Sequence, residues 1–351
     1  MTAEPAAAFH AAMRERALEA GVRSGVRTRV LLLAGRRVRL SFAGSALESR
    51  LMPALSHLAS LDPDGAGGTD LDVLVFDSAS TRVQAPPPPW APEQMGPRGV
   101  IDGFNTPRFR TVYQPGADVL LLYDRESAQG VYWAPDAQRV PFWETSFPFR
   151  TLLQWWAEGC GLQLAHAAAV GLDGGGVLIT GPGGSGKTTA ALACLGSRLR
   201  YAGDDFILLE TGPPRVHCLY NTAKLTRETE AWFPHQSAMA VNRHRPEEEK
   251  AVLMLAQSMP HALIGDFPLQ YLLVARVTGK RETRITRCGG GEALRALAPT
   301  TLFQLPLSGK AAMDGLAELL RRVPAFRLEA GTDLAGIPRA ILGLLEGEEP
   351  A

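Results

Sequence analysis

Val177-Leu178-Ile179-Thr180-Gly181-Pro182-Gly183-Gly184-Ser185-Gly186-Lys187-Thr188-Thr189 is the stretch that decides the fold. Val177 to Thr180 has the apolar, β-branched composition of a buried strand, and Thr188 to Leu199 alternates alanine and leucine as a helix does. Between them the chain matches G-x-x-x-x-G-K-[ST] in the strand-to-helix context that pattern requires. Glycine is needed there because backbone N–H groups line an anion closely only where no Cβ blocks the approach. A lysine then brings a point charge to the β- and γ-phosphates, and a hydroxyl reaches a magnesium ion. On this pattern Gly181, Gly183, Gly184, Ser185, Gly186, Lys187, Thr188 and Thr189 form an ATP-binding loop, Thr188 is a metal ligand, and ATP and Mg²⁺ are the expected cofactors.

Working outward, the acidic pair Asp204-Asp205 follows the helix after a short link, Arg200 to Gly203, and leads into a strand expected over Phe206 to Glu210. Adjacent carboxylates entering a strand face opposite sides, so one can serve a metal and the other a substrate hydroxyl. The later apolar strand Tyr271 to Val277 ends in Arg276-Val277-Thr278 with no acid, which argues against a motor ATPase or GTPase. His166 lies in the apolar run Leu164 to Val170, expected to be a strand that pairs through the turn Asp173 to Gly176 with Val177 to Thr180. That hairpin would put the imidazole beside the phosphates.

A histidine before the hairpin, the complete G-x-x-x-x-G-K-[ST] loop and an Asp-Asp pair after the helix together resemble the catalytic domain of HPr kinase/phosphorylase. Over Leu164 to Glu210 the chain looks most like the HPr-kinase-related serine kinases of bacteria. The resemblance implies an α/β P-loop kinase core of the type shared with phosphoenolpyruvate carboxykinase, and an ATP-dependent kinase acting on a serine or threonine hydroxyl of a protein or peptide. By position it gives Lys187 and the loop glycines to the ATP phosphates and Thr188 and Asp204 to Mg²⁺. It makes Asp205 the base and His166 a polar partner at the γ-phosphate. Lys224, in Asn221-Thr222-Ala223-Lys224-Leu225, is placed where related kinases carry a lysine that neutralises the transferred phosphoryl. The glycine-rich signature with which HPr kinases dock HPr is absent downstream of the acidic pair, so the expected acceptor is not HPr. The resemblance is compatible with a homo-oligomer and specifies none. A small-molecule kinase of the shikimate or gluconate type and a non-catalytic, regulatory ATP-binding module are the competing readings.

At 351 residues, and about 150 residues per domain, the chain is expected to hold two domains: an N-terminal α+β region over 1–145 and the kinase domain over 146–351. The first begins with a helix over Glu4 to Ala20, a hairpin around Ala34-Gly35-Arg36, and a capping box at Ser45-Ala46-Leu47-Glu48. Leu71 to Phe76 reads as a strand. After the proline run Pro86 to Pro89 come strand-like segments at Phe109 to Tyr113, Val119 to Tyr123, Val131 to Ala134 and Val140 to Trp143, then a helix over Phe147 to Cys160. Trp155 and Trp156 read as packing, and the arginines between Arg23 and Arg39 as a solvated face. Glu249-Lys250, after the charge run Arg243 to Glu248, reads as part of a solvated loop, and helices are expected at Met313 to Arg322 and Ala335 to Leu345.

Lys+Arg 36 against Asp+Glu 36 gives a formal charge of +0, so no overall field draws nucleic acid or anionic lipid. No apolar run approaches the ~20 residues that span a bilayer, and the N-terminus lacks a signal-peptide pattern, so a cytoplasmic protein is expected. The four cysteines show no C-x-x-C spacing and the seven histidines no H-E-x-x-H pattern, which points away from a disulfide scaffold or protein-ligated zinc.

Overall fold

The computed structural model describes residues 4–62 and 68–349, a mixed α/β chain in two compact units, Met1–Cys160 and Gly161–Ala351. The division falls after Cys160, later than the break expected at 145. The helix Arg150–Glu158 belongs to the first unit: it buries Trp155 and Trp156, and the Trp156 indole N–H donates to the Asp70 carbonyl at 3.2 Å. Among the described residues no helix is long and apolar enough to cross a membrane.

The first unit is built on six strands: β1 (Val26–Leu33), β2 (Arg36–Ala43), β3 (Leu71–Asp77), β4 (Phe109–Gln114), β5 (Val119–Asp124) and β6 (Gln129–Ala134). They lie in the order β1-β2-β3-β6-β5-β4. Ala34 and Gly35 both have positive φ, the conformation that joins two antiparallel strands by a two-residue turn. The long helix Glu4–Ser24 buries Ala6, Phe9, Met13, Ala17 and Ala20, a three-to-four residue spacing that turns one stripe onto the sheet. Two expectations fail here. Neither half of the capping box forms: Ser45 has helical backbone angles (φ −105, ψ −9) and its side chain makes no cap bond, and the Glu48 carboxylate that would accept from the Ser45 N–H is held by Arg27 and Arg29 instead. Val140 to Trp143 is not a strand but leads into the short helix Phe142–Thr145, since Pro141 has no N–H to give to a ladder.

The second unit adds eleven strands: β7 (Leu162–Ala165), β8 (Ala168–Leu172), β9 (Gly175–Thr180), β10 (Arg200–Gly203), β11 (Ile207–Glu210), β12 (Arg215–His217), β13 (Thr222–Leu225), β14 (Ala251–Met254), β15 (Asp266–Val277), β16 (Arg284–Arg287) and β17 (Ala325–Ala330). Nine of them form one sheet whose path runs β10-β8-β9-β15-β12-β11-β7, with β17 parallel to β15 and β16 beside β17. β13 and β14 make a separate ribbon. Alternation along the central strands divides the core into two layers. Val177, Ile179 and Leu273 face a cluster closed by Ala190, Ala191, Ile337 and Ile341 from the helices Lys187–Ala193 and Gly336–Leu345. Leu178, Leu272 and Val274 face the opposite cluster with Leu297 and Leu316, from the helices Gly290–Leu302 and Lys310–Arg322.

The sheet has two halves. β15 pairs through its first residues with β12 and through its later ones with β9 and β17. The run from β7 to β8 makes the same passage, because β7 pairs with β11 whereas β8 pairs with β9 and β10. So does the run from β10 to β11. The last two of these crossings lie at the loop end of β9, and they carry His166 and Asp204-Asp205.

Candidate active site

Strand register brings the candidate residues to one end of the sheet. β9 ends at Thr180 and hands the chain to the glycine loop. β8 is antiparallel to it with Ala168 opposite Ile179, so the residues just before Ala168 lie at the loop end. β10 is antiparallel to β8 with Gly203 opposite Ala169, so whatever follows Gly203 lies there too. His166 and Asp204-Asp205 meet for this reason.

Their local conformations differ from those expected. His166 is not within a strand but in the bend between β7 and β8, where the run turns from one half-sheet to the other. Arg200 to Gly203 is a strand rather than a link, and the helix after the loop stops at Ala193, with Gly196 in positive φ just beyond it. Asp204 and Asp205 do not enter a strand; they join β10 to β11, and Asp205 has φ +64. A left-handed turn at Asp205 therefore replaces strand alternation as the device that separates the two carboxylates. Aspartate tolerates that region better than most residues, and a strained residue in a cleft is a marker of function.

Asp205 is held on both sides. Its Oδ1 lies 3.4 Å from His166 Nε2 and its Oδ2 3.5 Å from Lys224 Nζ. Burial works to raise its pKa, and the His166 hydrogen bond with the charges of Lys224, His166 and Lys250 outweighs it, leaving the carboxyl well below the ordinary range. His166 is fixed in turn: its backbone N–H donates to Thr301 Oγ1 at 3.0 Å, and its ring meets Phe206 edge-on at 5.5 Å. Asp204 is the opposite case. It is buried, neither oxygen has a partner in hydrogen-bond geometry, and burial followed by the neighbouring Asp205 charge pushes its pKa up to about 6. The Thr188 hydroxyl, the Asp205 backbone N–H and His166 act the other way, favouring its charged form.

The loop shows why its residue types are required. Gly186, at φ +94, is the residue before the helix Lys187–Ala193, and a Cβ there would stand 3.0 Å from Val277 Cγ2. At Gly181, with φ +149, a Cβ would stand 2.5 Å from Ser185 Oγ. Ser185 Oγ is itself buried with no partner, Gly183 and Gly184 are exposed, and Thr188 and Thr189 are half-buried. Lys187 is buried, and its ammonium donates to the carbonyls of Gly181 at 2.7 Å and Pro182 at 3.2 Å. Burial lowers its pKa, with Asp204 and Asp205 opposing and Lys250 adding to the fall. The ammonium and both carboxylates thus share one field.

A hard cation fits this donor set. An unpartnered buried carboxylate beside a hydroxyl is the oxygen pair a magnesium ion takes from a protein when phosphates and water complete its shell. Among the described residues no group of three or more His, Cys, Asp and Glu side chains can hold a metal by itself.

Two residues escaped the sequence reading. Lys250, expected in a solvated loop, is exposed, yet its charge acts on both Asp205 and Lys187. Pairing of β13 with β14 sets Lys224 opposite Val252, so Lys250, two residues earlier, extends the face that carries Lys224. Thr301 positions His166 from a helix far along the chain, and nothing in its local sequence announces that.

No protein-family profile matches the chain, and no curated protein matches it. Among solved structures it is similar to the HPr(Ser) kinase/phosphatase from Coxiella burnetii, at 14% identity and a TM-score of 0.30, over 53% of this chain and 99% of that one. A score of that size does not establish a common fold.

Proposed function

We propose that the second unit is a P-loop kinase of the HPr-kinase-like type, transferring the γ-phosphoryl of ATP to a serine or threonine hydroxyl of a protein or peptide other than HPr. The observation that carries this reading is Asp205, clamped between His166 and Lys224 next to the unpartnered Asp204, with Lys187 in the field of both acids. A nucleotide-binding loop alone needs no such arrangement.

Lys187, donating to two loop carbonyls, exchanges them for phosphate oxygens when a triphosphate enters. Asp204 and Thr188 hold the metal; when bound, Mg²⁺ neutralises charge on the β- and γ-phosphates. Asp205 accepts the hydrogen bond of the acceptor hydroxyl and aims its oxygen at the γ-phosphorus. As the bond to the acceptor oxygen forms and the bond to the β–γ bridging oxygen breaks, the hydroxyl proton passes to Asp205. A carboxylate of depressed pKa suits a loose transition state, in which the proton moves late and orientation matters more than basicity. Lys224 and Lys250 stabilise charge on the phosphoryl in transit. The site is expected to work in the cytoplasm, where ATP and Mg²⁺ are abundant.

Incubation with γ-labelled ATP, Mg²⁺ and a serine/threonine peptide library tests the proposal. Label should appear as a phosphoester on a hydroxyl side chain, and Lys187→Ala should reduce transfer by roughly 10²–10³-fold. Transfer to a metabolite only, or to nothing, overturns it.

A further inference from the structure

The first unit contains a cavity of about 760 Å³ between the helix Glu4–Ser24 and its sheet, within the size range of ligand-binding clefts. Its floor is apolar, with Leu74 from β3, Phe109 and Leu122 from β4 and β5, and Val131 from β6. Its roof is one face of the helix, where Ala7 and Ala11 are too small to fill the space and Glu4 and Arg14 stand at the two ends.

The charges around it are unequal in status. Arg39 lies 3.2 Å from Asp72, and Arg108 grips Asp124 with two hydrogen bonds of 2.9 and 2.8 Å, so these four neutralise one another. His10 turns its Nε2 to Thr111 Oγ1 at 3.0 Å, and burial pushes its pKa down to about 4, so it adds no charge at neutral pH. Glu4 and Arg14 are different. Among the described residues neither has an oppositely charged partner, and Arg14 makes only a hydrogen bond from Nε to Gln129 Oε1 at 3.0 Å. They are ten residues apart on the helix, hence separated by about 15 Å. That is the length of roughly five residues of extended peptide.

We propose that this cavity binds an extended peptide segment whose aliphatic centre lies over Leu74, the half-buried member of the apolar floor, with an acidic group at Arg14 and a basic group at Glu4. A single amino acid or other small zwitterion is too short to reach both ends. Ser41 and Gln129, which also line the cavity, supply hydrogen-bonding groups for the peptide backbone. The assignment stands whether or not the second unit transfers phosphate.

Binding of the labelled full-length protein to an array of seven-residue peptides tests it. The expected result is selection of peptides with an aliphatic centre between an acidic and a basic residue. In Arg14→Glu the preference at the acidic end should invert to basic. Ala11→Trp, a change at an exposed position, should fill the cavity and weaken binding at least tenfold while leaving the melting temperature unchanged. A wild-type protein without sequence preference, an uninverted preference in Arg14→Glu, unweakened binding in Ala11→Trp, or full competition by free lysine and glutamate would each overturn the proposal.

Discussion

Asp204 and Asp205 are neighbours that the fold treats in opposite ways. One is buried with neither oxygen in hydrogen-bond geometry and holds its proton up to about 6; the other is half-buried, held between two nitrogen groups, and stays charged far below that. Asp205→Asn should keep nucleotide affinity and lose turnover by roughly 10²–10⁴-fold, because the hydroxyl loses its proton acceptor; steady-state kinetics beside calorimetric ATP binding separates the two quantities. For Asp204 the linkage sign follows from a folded pKa of about 6 against the ordinary 3.8. Its contribution to stability is fully present below pH 3.8 and is lost as pH rises through 6. A cation that replaces the proton reverses that loss, so the rise in Tm on adding Mg²⁺ and a non-hydrolysable ATP analogue should be larger at pH about 7.5 than at about 5. Asp204→Asn should flatten this difference in a thermal-shift series. At this scale Lys187 and Thr188 were legible as candidates because the motif that holds them is contiguous in sequence. Lys250 was not, since it is brought to the site by pairing across a long insertion between β13 and β14.

At the scale of elements, the site exists because two chain passages, β7 to β8 and β10 to β11, cross between the half-sheets beside the glycine loop. The glycine loop beside the crossings depends on backbone that few residues adopt. Gly186→Ala puts a Cβ 3.0 Å from Val277 Cγ2 at φ +94, a strain of about 1–3 kcal/mol that should weaken ATP binding about tenfold or more in titration calorimetry. Thr301→Val removes the acceptor of the His166 backbone N–H and should cost about 1–3 kcal/mol in urea denaturation, with a fall in turnover as Asp205 loses a fixed neighbour. The strands β4 to β6 were legible from their alternation and hairpin spacing. The bend at His166 was not, because Leu164 to Val170 is apolar apart from His166 itself and carries no Gly, Pro, Asn or Asp where the pairing partner changes. Nor was the helix Gly290–Leu302, which opens on glycines and contains Pro299; its stability comes from Ala293 and Leu297 packing under the sheet rather than from propensity.

For the whole molecule, charge balance sets behaviour rather than fold. With Lys+Arg 36 against Asp+Glu 36, solubility should pass through a minimum near pH 7 and rise on either side, as precipitation by polyethylene glycol across a pH series would show; a monotonic curve would contradict it. The expectation of two domains depended on length, and the contact boundary moved to Cys160 because a tryptophan-rich helix joined the sheet before it, a tertiary fact that composition does not encode. The central claim is that one triphosphate is read by the loop, the acid pair and two lysines together. A crystal structure with Mg²⁺ and a non-hydrolysable ATP analogue tests it most directly. The γ-phosphate should lie against Lys187 and Lys224, with the metal on Asp204 and Thr188 and the Asp205 carboxylate facing the phosphorus along the line of attack. A triphosphate bound elsewhere, or one whose terminal phosphate points away from Asp205, would contradict the account.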